Sequence, residues 1–155
     1  MYIKSLSIES HDICEKQNDM KLVTQIEINT NAETIWNALI DFKNYDKWNP
    51  FITKIEGTAA PHQKLKVQIQ NMRFSPLIQI YKPHQKLTWL GKLGIKGLFD
   101  GYHYFEIVPI DEHKCLFIQG ENFSGLLVPL LKKKLKTETL PGFILMNCSL
   151  KDYVE

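Results

Sequence analysis

Between residues 51 and 123 the chain reads as six strand-like runs, at 51–57, 64–71, 73–82, 86–91, 101–109 and 115–123. Three of the links, Pro61-His62-Gln63, Pro83-His84-Gln85 and Asp111-Glu112-His113, are short and polar. A parallel crossover needs roughly a dozen residues, so links of this length dictate antiparallel neighbours and a meander. The link at 92–100 holds Gly94 and Gly97 and reads as a flexible loop or a bent strand start.

The rest of the chain must supply what such a sheet covers. Leu22, Thr24, Ile26 and Ile28 alternate with Val23, Gln25 and Glu27, a further strand. Thr30 and Glu33 have the spacing of a capping box, which opens a helix carrying Ile35, Trp36, Leu39 and Ile40 on one side. A second short helix, with Phe42, Tyr45 and Trp48 three apart, stops at Pro50. The last stretch changes period. Leu126, Leu127, Leu130, Leu131 and Leu135, followed by Phe143, Ile144 and Met146, form the apolar side of a long terminal helix. Pro141 interrupts it and predicts a kink, because proline removes a hydrogen bond and crowds the preceding turn. The order implies an α+β fold in which a curved antiparallel sheet of about seven strands wraps around the C-terminal helix. Two short helices lie between its first and second strands. The patterned domain spans 21–155. Residues 1–20 are read as an extension, either an arm or a stretch upstream of a start at Met20, with 2–8 able to add an edge strand.

Composition narrows the function. The 155 residues suffice for one domain with its own core, and 44% apolar with 23% charged residues is ordinary for a soluble protein. A net charge of +2 gives no case for nucleic acid. Cys14, Cys115 and Cys148 are an odd, scattered set without a CxxC pair, which suits a reducing, cytoplasmic setting. The five histidines lack HExxH or HxxxH spacing, and no phosphate-binding or serine-hydrolase motif occurs. Nothing calls for a metal or a cofactor.

The candidate polar site follows from register. With the last hairpin centred on Glu112, facing residues sum to 224, so His103 opposes Glu121, Phe105 opposes Gln119 and Ile107 opposes Phe117. If Phe105 and Phe117 point inward, His103 and Glu121 do so too. A carboxylate facing an imidazole can run an acid/base step, or it can anchor the helix as a satisfied polar pair. A slip of one residue would part them. Trp36, Trp48, Tyr81, Trp89 and Phe99 are the aromatic residues available to line a pocket. The expected ligand-facing set also takes Phe74 from a strand, and Leu131, Gly142 and Met146 from the terminal helix. Arg73 suits a ligand carboxylate only if it turns inward, and is expected at the surface. Lys132, Lys133, Lys134 and Lys136 read as a solvated helix face that also offers transient contact with anionic phospholipid.

Several segments carry a resemblance. They are ETIWNALIDFKNYDKWNPFI (33–52), LTWLG (87–91), GLFDGYHYFEI (97–107), GENFSGLLVPLL (120–131) and GFILMNCSLK (142–151). With the element order, they resemble a bacterial, polyketide cyclase/dehydrase-like branch of the helix-grip superfamily. That superfamily (START-like, Bet v 1-like, SRPBCC) includes birch-pollen-allergen-like proteins, steroidogenic-acute-regulatory lipid-transfer domains and aromatic polyketide cyclases. The resemblance covers 21–155 and implies an internal cavity for a small hydrophobic molecule. Three readings stay open on it, in this order. The first is a binder of a lipid, isoprenoid or aromatic metabolite. The second is a cyclase or dehydratase with His103 and Glu121 as acid and base. The third is a co-chaperone-activator-like interaction module, whose cavity would be filled.

Overall fold

The computed structural model describes residues 18–69 and 71–155, and the edge strand expected at 2–8 lies outside them. The chain runs β1 (Asp19–Ile28), α1 (Ala32–Ile40), a 3-10 helix (Phe42–Lys47), β2 (Ile52–Glu56), β3 (Lys66–Ile69) and β4 (Met72–Phe74). It continues through β5 (Leu77–Lys82), β6 (Lys86–Lys92), β7 (Asp100–Asp111) and β8 (Lys114–Ser124). It ends in α2 (Val128–Lys134), a π-helical turn (Leu135–Thr139) and α3 (Leu140–Val154). All pairings are antiparallel. One sheet has the order β1-β8-β7-β6-β5 and the other β2-β3-β4, with a single bridge between Lys64 and Leu77. The α+β helix-grip architecture is therefore present, with eight strands among the described residues.

Four details differ from the pattern reading. First, 73–82 is two strands. Pro76 lacks the N–H that a continuous ladder needs, and its carbonyl instead accepts from Leu65 N–H at 2.8 Å. The chain changes sheet there, β4 pairing with β3 and β5 with β6. Second, β1 begins at Asp19, earlier than the alternation from Leu22 indicates; Met20 alternates with Leu22 on its buried face. Third, the α1 cap is Asn31 rather than Thr30. Its Oδ1 accepts from the Thr34 N–H at 2.9 Å and the Thr34 hydroxyl at 3.0 Å. Asn31→Ala is expected to cost about 1 kcal/mol in a urea melt while Thr30→Ala stays near neutral; equal effects would restore the Thr30 box.

Fourth, the interruption of the terminal helix falls before Pro141, as a π-helical turn. The π turn widens the backbone so that Leu140 N–H reaches the Leu135 carbonyl, and Pro141, in the first turn of α3, has no bond to lose. Part of the apolar stripe is uncovered. Val128 and Leu135 are buried, but Leu126 and Leu130 are 72% and 80% exposed. Beneath the helix lie two apolar clusters. A large one joins α1, the 3-10 helix, the sheets and the end of α3, and a smaller one joins Met20, Leu22, Phe123, Val128, Leu135 and Phe143.

Candidate functional site

The hairpin register is the one expected: His103 pairs with Glu121, Phe105 with Gln119 and Ile107 with Phe117. Strand alternation sends the His103, Phe105 and Ile107 side chains inward, and all three are buried. His103 is held on every side. Trp89 from β6 stacks on its ring at 5.2 Å and 12°, while Phe105 and Phe143 meet it edge-on at 4.6 and 5.1 Å. Its Nδ1 lies 3.3 Å from Glu121 Oε2, and the Gln119 amide nitrogen lies 3.4 Å from its Nε2. A proton on Nδ1 points at the Glu121 carboxylate and leaves Nε2 able to accept from the Gln119 amide. Gln119 also donates to Met146 Sδ at 3.2 Å, so the chain Met146–Gln119–His103–Glu121 ties the grip helix to β7 and β8.

Trp89, His103 and Glu121 border a cavity of about 340 Å³ between the two sheets and the terminal helix. Ile52, Val67, Ile69, Met72 and Phe74 wall it on the side of β2–β4. Trp89, His103, Glu121 and Phe123 wall it on the β6–β8 side, and Leu131 and Leu135 close it from the helix. Its exposed rim includes Lys92, Leu93, Lys134 and Glu138, with Lys134 Nζ 3.8 Å from Glu138 Oε2. Two glycines make the room. Gly91 and Gly101 face each other across β6 and β7 and both border the cavity, where side chains would otherwise fill it. A Cβ on Gly101 would collide with Glu121 Oε1, so the carboxylate rests in the space that this glycine leaves. A Cβ on Gly91 meets nothing closer than the Gly101 carbonyl at 3.9 Å and Pro76 Cβ at 4.0 Å.

Of the residues singled out from the sequence, Phe74, Trp89, Phe99, His103, Glu121 and Leu131 border this cavity. Phe105 and Phe117 stack on each other at 5.9 Å and form packed core with no cavity face. Trp48 packs between Tyr45 and Tyr153, and Tyr81 meets Trp36 edge-on, all away from the cavity. Met146 lies outside the cavity wall and reaches the site through Gln119. Gly142 lies against the ring of Phe51, which itself borders the cavity. Arg73 is exposed. Pattern reading missed Phe51, Phe123, Leu135 and the glycine pair. The pair had a signal, since a β6–β7 register aligned on Trp89 and His103 brings Gly91 opposite Gly101.

Comparison with known proteins agrees with this architecture. A family model described as polyketide cyclase / dehydrase and lipid transport matches residues 19–143. No curated protein matches the chain. Among solved structures, a hypothetical protein of Helicobacter pylori superposes with a TM-score of 0.79 at 14% identity, covering 100% of this chain and 99% of that one. The Zhui aromatase/cyclase of Streptomyces sp. R1128 gives 0.71 at 10% identity, over 88% and 93% of the two chains. A START superfamily protein of Mycobacterium smegmatis gives 0.66 at 23% identity, over 86% and 96%. At these identities the structural likenesses speak to the fold. With the family model spanning most of its length, the chain, which has the helix-grip fold, belongs to the polyketide cyclase / dehydrase and lipid transport family.

Proposed function

We propose that the protein binds one small, largely apolar molecule in the cavity, with Glu121 accepting a hydrogen bond from its single polar end. The observation that carries this is the composition of the wall. Apolar side chains dominate it, and away from the charged rim of Lys92, Lys134 and Glu138 a single carboxylate, Glu121, stands among them, braced by a buried imidazole. About 340 Å³ lies at the low end of the roughly 300–1,000 Å³ typical of small-molecule sites. That size suits a compact aromatic or short isoprenoid alcohol better than a two-chain lipid. A continuous cavity also speaks against the filled-core interaction module. The setting proposed is the cytoplasm: Cys115 and Cys148 are free thiols, and burial pushes the Cys115 thiol up, away from its reactive thiolate form. Among the described residues no helix is long and apolar enough to cross a membrane.

A second reading rests on the same chain of polar groups. A carboxylate with its proton partner behind it, in a cavity poor in water, is also what a cyclase or dehydratase needs to move a proton. Glu121→Gln separates the two, because it keeps the shape and removes the charge. Trp89 lies in the wall, so its fluorescence reports occupancy. For a binder, Gln is expected to weaken a hydroxyl-bearing aromatic by about tenfold or more and to leave its deoxy analogue unchanged. Equal weakening of both would remove Glu121 from recognition. Undiminished binding with lost turnover would make the protein an enzyme.

A further inference from the structure

An exposed apolar tip lies beside the cavity rim. Ile95, Leu126 and Leu130 are 75%, 72% and 80% exposed, and Leu93, itself in the rim, is 46% exposed. They come from two segments that backbone bonds hold together. Leu126 N–H donates to the Gly97 carbonyl at 3.1 Å, and Leu127 N–H to the Leu98 carbonyl at 3.0 Å. Gly125 permits this approach; it sits at φ +122°, and a Cβ there would meet the Gly97 and Leu98 carbonyls at 2.8 and 2.6 Å. Charge on the same two segments has a single sign. Residues 92–98 and 126–136 hold Lys92, Lys96, Lys132, Lys133, Lys134 and Lys136 and no acidic residue, in a chain whose net charge is only +2. All six lysines are exposed.

Large apolar side chains fully in water, ringed by lysines, are costly for a free surface and complementary to the apolar interior and anionic headgroups of a bilayer. We infer that this tip docks on an anionic phospholipid membrane, with Ile95, Leu126 and Leu130 entering the headgroup region and the lysines on the phosphates. Lys92, Leu93, Leu131 and Lys134 belong both to these segments and to the cavity lining, so docking turns the opening toward the bilayer. A hydrophobic molecule then exchanges between membrane and cavity without crossing water. The inference rests on surface residues and is tested without any cavity ligand, so its failure leaves the binder reading standing.

The test is flotation of the full chain with vesicles of phosphatidylcholine alone, or of about three parts phosphatidylcholine to one part phosphatidylglycerol. Binding is expected only to the anionic vesicles, and is expected to fall steeply between about 0.05 M and 0.5 M salt. Changing Lys132, Lys133 and Lys136 together to Gln is expected to weaken it by roughly a hundredfold. Changing Ile95, Leu126 and Leu130 together to Ser is expected to abolish it. A second variant, Ile95→Trp, reads insertion directly as a blue shift on adding anionic vesicles, against Trp36, Trp48 and Trp89, which are buried throughout. No flotation with either vesicle, flotation that survives both sets of changes, or no blue shift would overturn the proposal. So would a dimer in solution that the Ser changes dissolve while vesicles remain unbound, since the tip would then face a second copy of the chain.

Discussion

Replacing Gly91 by phenylalanine is expected to leave the fold intact and to weaken ligand binding by at least roughly a hundredfold. Space decides the outcome. Gly91 sits on the inner face of β6, two residues from Trp89, and its absent side chain is part of the cavity. A Cβ fits there, with contacts of 3.9 and 4.0 Å, so the ring can enter the empty volume without moving backbone. Phenylalanine also favours a strand where glycine weakens one, and the ring would bury against apolar walls. Stability is therefore expected to hold or rise while binding disappears, the trade that a functional cavity imposes. A melting temperature together with a ligand titration checks both halves. Unchanged affinity would mean that the ligand sits elsewhere. Gly101→Phe is not equivalent, because its first carbon already strikes Glu121.

Phe143→Ala is expected to lower stability by about 3–5 kcal/mol. This ring is fully buried where α3 meets the sheets, edge-on to Phe51 at 5.6 Å and to His103 at 5.1 Å. Truncating it removes apolar burial and opens the protein behind His103, with both rings it touched losing a neighbour. Ile144, the next residue, is 43% exposed, and Ile144→Ala should stay within about 0.5 kcal/mol. Denaturant midpoints of the two variants make the comparison. Similar costs would show that α3 is held by something other than the contacts of Phe143.

The pattern of legibility follows from what each inference needed. Alternation and short links are local properties, so the β7–β8 register, with His103 opposite Glu121, could be read residue by residue. The 3-10 helix was legible in the same way, through Phe42, Tyr45 and Trp48 at spacings of three. Local reading failed where tertiary geometry decides. A strand-like run hides the sheet change at Pro76 unless the missing N–H is weighed above the apolar pattern. A helical stripe predicts that Leu126 and Leu130 are covered; it cannot say that Leu126 falls before the helix starts at Val128 or that Leu130 faces solvent. Aromatic composition was the weakest guide. Trp48, Tyr81 and Phe117 became core while Trp89 and Phe99 reached the cavity, because cavity space is decided by what is absent, here two facing glycines.

Native mass spectrometry of the freshly purified protein, followed by release and identification of anything bound, tests the cavity reading most directly. The account predicts a single bound molecule, small, mostly apolar and carrying a hydrogen-bond donor, which is absent from Gly91→Phe prepared in the same way. A clean apo mass that stays unshifted after incubation with aromatic and isoprenoid alcohols would contradict it, and the cavity would then be a packing defect rather than a binding site.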